Sequence, residues 1–183
     1  MMGRNKNYKV EDVLQSATQL FWEKGYGNAS VQDLEKATGV NKSGLYAEFK
    51  SKDQLYLRCL AHYSEQNNAR KALLRMPQGW ENIREFLLTG GRCQGAKGCF
   101  VANSVREFSS LPKKTRSAIA ENLEEMGKLM GENLKAAGVA ESSVAPLASL
   151  ILTFSSGLAL RLNLGSLPNY DSLVEDFLGR LKA

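Results

Sequence analysis

Between residues 10 and 60 the apolar positions fall into short helical phases cut by glycine, and this punctuation constrains the chain more than any other feature. Val10, Val13, Leu14, Ala17, Leu20 and Phe21 recur at helical spacing and give a first helix one apolar face, which Gly25 ends. Tyr26-Gly27-Asn28 has the composition of a turn. Ser30 is a predicted N-cap, with Asp33 three residues on as a capping-box variant, and Val31, Leu34 and Ala37 form the inward face of a second, short helix. Thr38-Gly39-Val40 closes it. Asn41 is the next cap, with Leu45 and Phe49 four apart on the inner face of a third helix. Ser51 and Gln54 form another capping box, opening a longer helix through Leu55 and Cys59.

Two short helices joined by a turn containing Gly form the helix-turn-helix pattern. Its logic is steric, because the second helix must enter a major groove roughly 12 Å wide while the turn holds it steeply against the first. A small helical bundle of any purpose shares short helices and Gly turns, so spacing alone leaves DNA binding open.

The 183 residues suffice for one sizeable core, or for a small domain docked on a larger one. The net charge of +5 is compatible with nucleic acid without requiring it. Arg4, Lys6 and Lys9 precede the first acid, Glu11, and form a short basic arm. Such an arm is either a solvated start or a contact to phosphates or a minor groove. The N-terminus lacks the apolar core of a signal peptide. Cys59, Cys93 and Cys99 match neither a disulfide framework nor a metal spacing. The apolar stretch Val144 to Leu164 carries Ser149, Ser155, Ser156, Arg161 and Asn163, with Pro146 near its start, and fits a buried or interface helix better than a membrane span. A cytoplasmic protein with no membrane partner is expected.

The run "TGVNKSGLYAEFKSKDQLY" from Thr38 to Tyr56, with Gly25-Tyr26, Ser30 and Leu34 before it, resembles the DNA-binding signature of the TetR/AcrR family. The resemblance covers about fifty residues and implies an all-α protein. Residues 1–58 would form a three-helix helix-turn-helix domain, and residues 59–183 a helical effector-binding and dimerisation domain. It also implies the DNA contacts. Ser30 would meet a phosphate with its hydroxyl and nearby N–H groups. Gln32 and Lys42 would reach base edges, with Lys42 donating to guanine N7 and O6. Asn41, Ser43 and Gly44 would line the exposed start of the recognition helix. Tyr46, Lys50 and Lys52 would contact phosphates, although Tyr46 beside Leu45 and Phe49 also fits a partly packed aromatic. Three positions depart from the family pattern: Ala29 stands where Thr is common, Glu35 where Ala is common, and Glu48 where His or Tyr is common. A carboxylate at Glu48 repels phosphate, so it points away, accepts from a cytosine amino group, or tempers affinity.

Beyond Lys52 the spacing predicts helices over Lys52–Leu74, Gly79–Cys93, Gly98–Ser109, Lys113–Ala137, Glu141–Leu164 and Tyr170–Leu181, broken at Pro77, Gly90-Gly91, Gly95, Pro112, Gly138 and Pro168. The last two carry wide apolar faces, Leu147, Leu150, Ile151, Phe154, Leu158 and Leu162 on one and Leu173, Val174, Phe177, Leu178 and Leu181 on the other. They serve either as monomer core or, as the family resemblance implies, as an intersubunit four-helix bundle over about 141–164 and 170–181. A homodimer would present two recognition helices to two half-sites. Candidates for an effector pocket are Phe86, Phe100, Val101, Asn103, Val105, Arg106, Phe108, Leu123, Met126, Met130 and Phe154. They are largely apolar, with Asn103 and Arg106 as polar anchors, which favours a small apolar ligand. The segment "GCFVANSVREF" resembles one in a TetR subgroup where GC precedes an apolar helix carrying Asn, and some regulators of that type sense oxidants or electrophiles with such a cysteine. Cys99 is therefore either a sensor thiol, favoured as thiolate at a helix start beside Lys97 with Cys93 as resolving partner, or a small buried apolar residue.

The single histidine, His62, has no partner suggesting a triad, and neither a phosphate loop nor a metal cluster is visible, so an enzyme is not expected, nor a cofactor. The expected function is that of a transcriptional repressor, partnered by a double-stranded DNA operator and an unidentified small molecule. A non-specific architectural DNA binder is the alternative, against which the modest charge and long non-basic body argue.

Overall fold

The computed structural model describes residues 8–91, 98–162, 164–165 and 167–182, and among these there are helices and no strand. The helices run α1 Val10–Asn28, α2 Val31–Thr38, α3 Lys42–Phe49, α4 Lys52–Gln66, α5 Asn68–Leu73, α6 Trp80–Gly91, α7 Phe100–Val105, α8 Lys113–Ala136, α9 Glu141–Leu162 and α10 Tyr170–Lys182, with a 3₁₀ turn at Phe108–Ser110.

The head forms largely as its punctuation predicts, except that Tyr26-Gly27-Asn28 continues as helix beyond a kink at Gly25, and Ala37 of α2 is exposed. Gly25 breaks the helical path of α1 at φ 79 and ψ 165, a conformation open to glycine alone. The Ser30–Asp33 capping box closes in both directions. Gly39 ends α2 in the left-handed region. Asn41 caps α3 by accepting from Gly44, and Ser51 caps α4 by accepting from Gln54.

The expected helix Lys52–Leu74 divides into α4 and α5. Asn67 adopts an extended conformation there, and its side chain accepts from the amides of Ala69 and Arg70, beginning a new helix. α6 includes Gly90 and is described to Gly91; the rest of the expected Gly79–Cys93 helix lies outside the described residues. The segment expected over 98–109 divides into α7 and the 3₁₀ turn.

Two cores result. The first contains Val13, Ala17, Phe21, Leu34, Leu45, Phe49, Leu55 and Tyr56 of the head together with Phe100, Val101, Leu111 and Ile119 from further along the chain. The second joins α5, α6, α8, α9 and α10 around Leu73, Ile83, Leu87, Met130, Ile151 and Val174. The head thus shares its core with α7 and α8. The expected boundary near residue 58 falls inside α4, whose Cys59 and Leu60 still belong to the head's core.

The apolar face of α9 is divided in its use. Val144, Ala148, Ile151, Leu158 and Leu162 lie in the body core, while Leu150 and Leu160 stay about half exposed at 47% and 48%. By length and composition α9 is apolar enough to cross a membrane, but five of its apolar side chains already pack in the body core. On α10, Val174 and Leu178 are buried, and Phe177 stacks on Phe154 of α9 at 3.8 Å between ring centres.

Candidate functional site

α2 and α3 place Gln32, Asn41, Lys42 and Ser43 on exposed surface, with Gly44 and Tyr46 partly covered. The expected DNA contacts on α2, α3 and the start of α4 therefore lie on neighbouring elements. Ser30 is already engaged in its capping box. Its hydroxyl oxygen accepts the Asp33 amide at 3.1 Å, and the hydroxyl donates to Asp33 Oδ2 at 2.7 Å. Lys24 Nζ meets Asp33 Oδ1 at 2.7 Å, and these donors, Lys24 foremost, hold the Asp33 carboxyl well below the usual carboxylate range.

The α2–α3 turn is braced from several sides. Glu35 Oε1 accepts the Lys42 amide at 2.6 Å, and the Tyr8 hydroxyl donates to the Gly44 carbonyl at 3.3 Å. The Lys42 ammonium lies 5.9 Å from the centre of the Tyr46 ring. Lys50 ends α3 at φ 65, an unfavourable backbone for a residue with a Cβ, and its side chain is exposed. Lys52 Nζ sits 4.6 Å from the centre of the Tyr26 ring, and partial burial lowers its pKa. Glu48 points towards α4, where Arg58 lies 3.8 Å away, so its charge is met within the protein.

The body holds a cavity of about 360 Å³, within the range typical of small-molecule sites. Phe86, Val101, Leu123 and Met126 line it, as does Cys99, which is partly exposed at the start of α7. Other expected pocket residues lie elsewhere. Phe100 packs among Trp22, Tyr56 and Tyr63, while Asn103 and Arg106 face a separate cleft where α1 meets α7. Met130 is fully buried in the body core, Phe154 stacks on Phe177, and Val105 and Phe108 are exposed.

The cavity wall also includes Tyr63 and Ser64 of α4, Asn67 at the α4–α5 break, Asn122 of α8, and Ser149, Thr153 and Ser156 of α9, none of which the apolar criterion selects. The α9 hydroxyls recur four and three residues apart in an otherwise apolar helix, a sequence signal of a polar stripe. Arg4, Lys6, Cys93, Gly95, Lys97 and Asn163 lie outside the described residues. Among the described residues no group of three or more His, Cys, Asp or Glu side chains could hold a metal ion.

Residues 13–59 match the family model described as bacterial regulatory proteins, tetR family. The chain is 34% identical over 112 residues to the uncharacterised HTH-type transcriptional regulator YezE of Bacillus subtilis, covering 58% of each. It is 38% identical over 114 residues to the HTH-type transcriptional repressor ComR of Escherichia coli, covering 58% of this chain and 54% of ComR. The chain thus matches little more than half the length of these relatives. Among solved structures, a cysteine mutant of the TetR family transcriptional regulator CifR, complexed with 26-bp double-strand operator DNA, superposes with a TM-score of 0.81 at 25% identity, over 96% of this chain and 98% of that one. A TetR transcriptional regulator from Legionella pneumophila shares the fold with a TM-score of 0.82 at 19% identity, over 97% and 99% of the two chains. In its braced helix-turn-helix head over residues 13–59, and in its all-helical fold, the chain is thus similar to bacterial regulatory proteins of the tetR family.

Proposed function

We propose that this chain is a sequence-specific, DNA-binding transcriptional repressor that works in the cytoplasm as a homodimer. The observation that carries the reading is the exposed first turn of α3, where Asn41, Lys42 and Ser43 stand clear of the core and Lys50 and Lys52 follow on the same head. The recognition helix would enter the major groove by this end, with Gln32 and Lys42 at base edges. Ser30, Tyr46, Lys50 and Lys52 would meet phosphates, and these contacts set position and salt dependence rather than sequence. Dimerisation would use the exposed parts of α9 and α10, and the partly uncovered Leu150 and Leu160 support this.

The body cavity supports a small effector as the releasing signal, with its apolar part against Phe86, Val101, Leu123 and Met126 and any polar group towards the α9 hydroxyls. Because Cys99 lines the same cavity, modification of its thiol would act on the same wall. α4 runs from Leu55 and Tyr56 in the head's core to Tyr63 and Ser64 at the cavity. A shift of α4 on occupancy would change the separation of the two heads, and a palindromic operator would no longer be matched on both sides.

Selection of bound sequences from random DNA by the full chain tests the reading. The expected result is a palindromic site held against excess competitor DNA, with an affinity that falls steeply with salt. Equal binding to all sequences would favour an architectural protein instead. For the thiol, operator release by N-ethylmaleimide should be lost in Cys99→Ser, and unchanged release there would dismiss Cys99 as the sensor.

A further inference from the structure

Glu35 does more in the α2–α3 turn than its position on α2 suggests. Its carbonyl accepts the Gly39 amide at 2.9 Å, as the helix end requires. Its side chain then reaches across the turn, and Oε1 accepts the amide of Lys42, the first residue of α3, at 2.6 Å. Asn41 Oδ1 takes the Gly44 amide at 2.8 Å, so α3 has its own cap without Glu35. The outcome is a carboxylate fixed at the end of α3 that helix-turn-helix proteins direct towards base edges. Gln32 lies one turn earlier on the same face of α2. The nearby Lys42 ammonium is drawn towards the Tyr46 ring.

An ionised carboxylate only accepts hydrogen bonds. It repels phosphate and finds no partner in guanine N7 and O6 or in thymine O4. The cytosine edge in the major groove offers a donor amino group without an acceptor beside it, whereas adenine pairs its amino group with the N7 acceptor. We propose that Glu35 is a specificity-determining residue of the DNA interface: with Oε1 held by the Lys42 amide, the carboxylate accepts from the N4 amino group of a cytosine and selects one C·G pair in each half-site. The proposal rests on the reading of this chain as a sequence-specific DNA binder.

The test compares wild type, Glu35→Gln and Glu35→Ala as full-length protein. Sequences are first selected from random DNA, and anisotropy titrations then follow on the selected site and on versions with T or A in place of each C. Wild type should require the cytosine, with about tenfold weaker binding when T replaces it in a half-site. Glu35→Gln keeps an oxygen for the Lys42 amide and should unfold at the wild-type temperature. It should nevertheless lose the preference, binding C and T within about twofold or turning to adenine, which a Gln amide can engage at both N6 and N7. Glu35→Ala should lose the same preference. A role as brace alone would weaken all sites uniformly and leave the selected sequence unchanged in both variants, and that result overturns the proposal. A wild-type site with no required C·G pair, or with adenine required instead, overturns it as well. If wild type selects no sequence, the DNA-binding reading itself fails and this proposal falls with it.

Discussion

Glu107 Oε2 accepts the Gly27 amide at 3.0 Å across eighty residues of chain, tying the segment after α7 to the end of α1. Gly25 lies beneath the same carboxylate, and a Cβ added there would meet Glu107 Oε1 at 1.9 Å. Gly25→Ala therefore carries two costs, a backbone that L residues rarely adopt and a displaced carboxylate. It should destabilise the protein by about 2–4 kcal/mol in urea unfolding. Glu107→Ala alone should cost about 1 kcal/mol. The double variant should be more stable than the two effects summed, because the clash disappears while the strain remains. Strict additivity would show that the two side chains do not meet.

Tyr56 and Ser104 make a second link between head and body, with 2.7 Å between their oxygens in a buried site. Ser104 Oγ also lies 2.9 Å from the Phe100 carbonyl, to which it donates, so the Tyr56 hydroxyl is the donor between the pair. Tyr56→Phe should cost about 1 kcal/mol. Ser104→Ala should cost about 2 kcal/mol, since it leaves a buried hydroxyl without its acceptor. The opposite order in thermal unfolding would contradict this donor assignment.

Burial pushes the Cys59 thiol up from 9.0 to about 12, and the Tyr56 hydroxyl from 10.0 to about 12. The unfolded chain releases these protons from pH 9 and 10 upwards, while the folded chain keeps them until about pH 12. Stability is thus fully present below about pH 9 and lost as pH rises towards 12, by about 1.4 kcal/mol per pH unit for each group. Urea midpoints measured from pH 8 to 11 should fall less steeply in Cys59→Ala. An unchanged slope would mean that another group titrates.

The head was legible because its signals are local. Ser30, Asn41 and Ser51 each cap an amide three residues away, and Gly25 and Gly39 announce positive φ by having no Cβ. The body was legible in the number and phase of its helices, but less so in its breaks. Asn67 caps α5 from within a continuous apolar rhythm, and Gly90 stays helical beneath Tyr170, whose hydroxyl donates to the Leu87 carbonyl at 2.7 Å. Glu107 and Glu35 were illegible as partners of Gly27 and Lys42, because a charged residue in a sequence does not reveal which amide it will meet. Apolar character failed to separate Met126, at the cavity, from Met130, in the core, since both lie on α8 one turn apart. The difference is set by which neighbouring helix packs above them.

Lys50 holds φ 65 at the end of α3. Lys50→Gly should relieve the backbone and raise stability by about 1 kcal/mol. The same change should weaken DNA binding across all sequences and reduce the salt slope by about one contact. A gain in stability with unaltered DNA binding would remove Lys50 from the phosphate set.

Leu150 and Leu160 are the large exposed apolar residues within α9. Light scattering should give a mass twice the 20.2 kDa of the chain for wild type, and the single-chain mass for the Leu150→Arg, Leu160→Arg double variant. A dimer that survives both substitutions would place the contact on another face.

The seam between head and body also carries a built-in optical reporter. The chain has two tryptophans, and Trp22 stands in the aromatic cluster where α1 meets α7, 5.2 Å from Tyr63 and 6.0 Å from Phe100 between ring centres. Trp80 lies far along the chain, at the start of α6, with the Lys182 ammonium 5.3 Å from its ring. Replacing Trp80 by Phe leaves a single emitter at the joint, whose wavelength and quenching follow the opening of that seam in real time, without an attached dye.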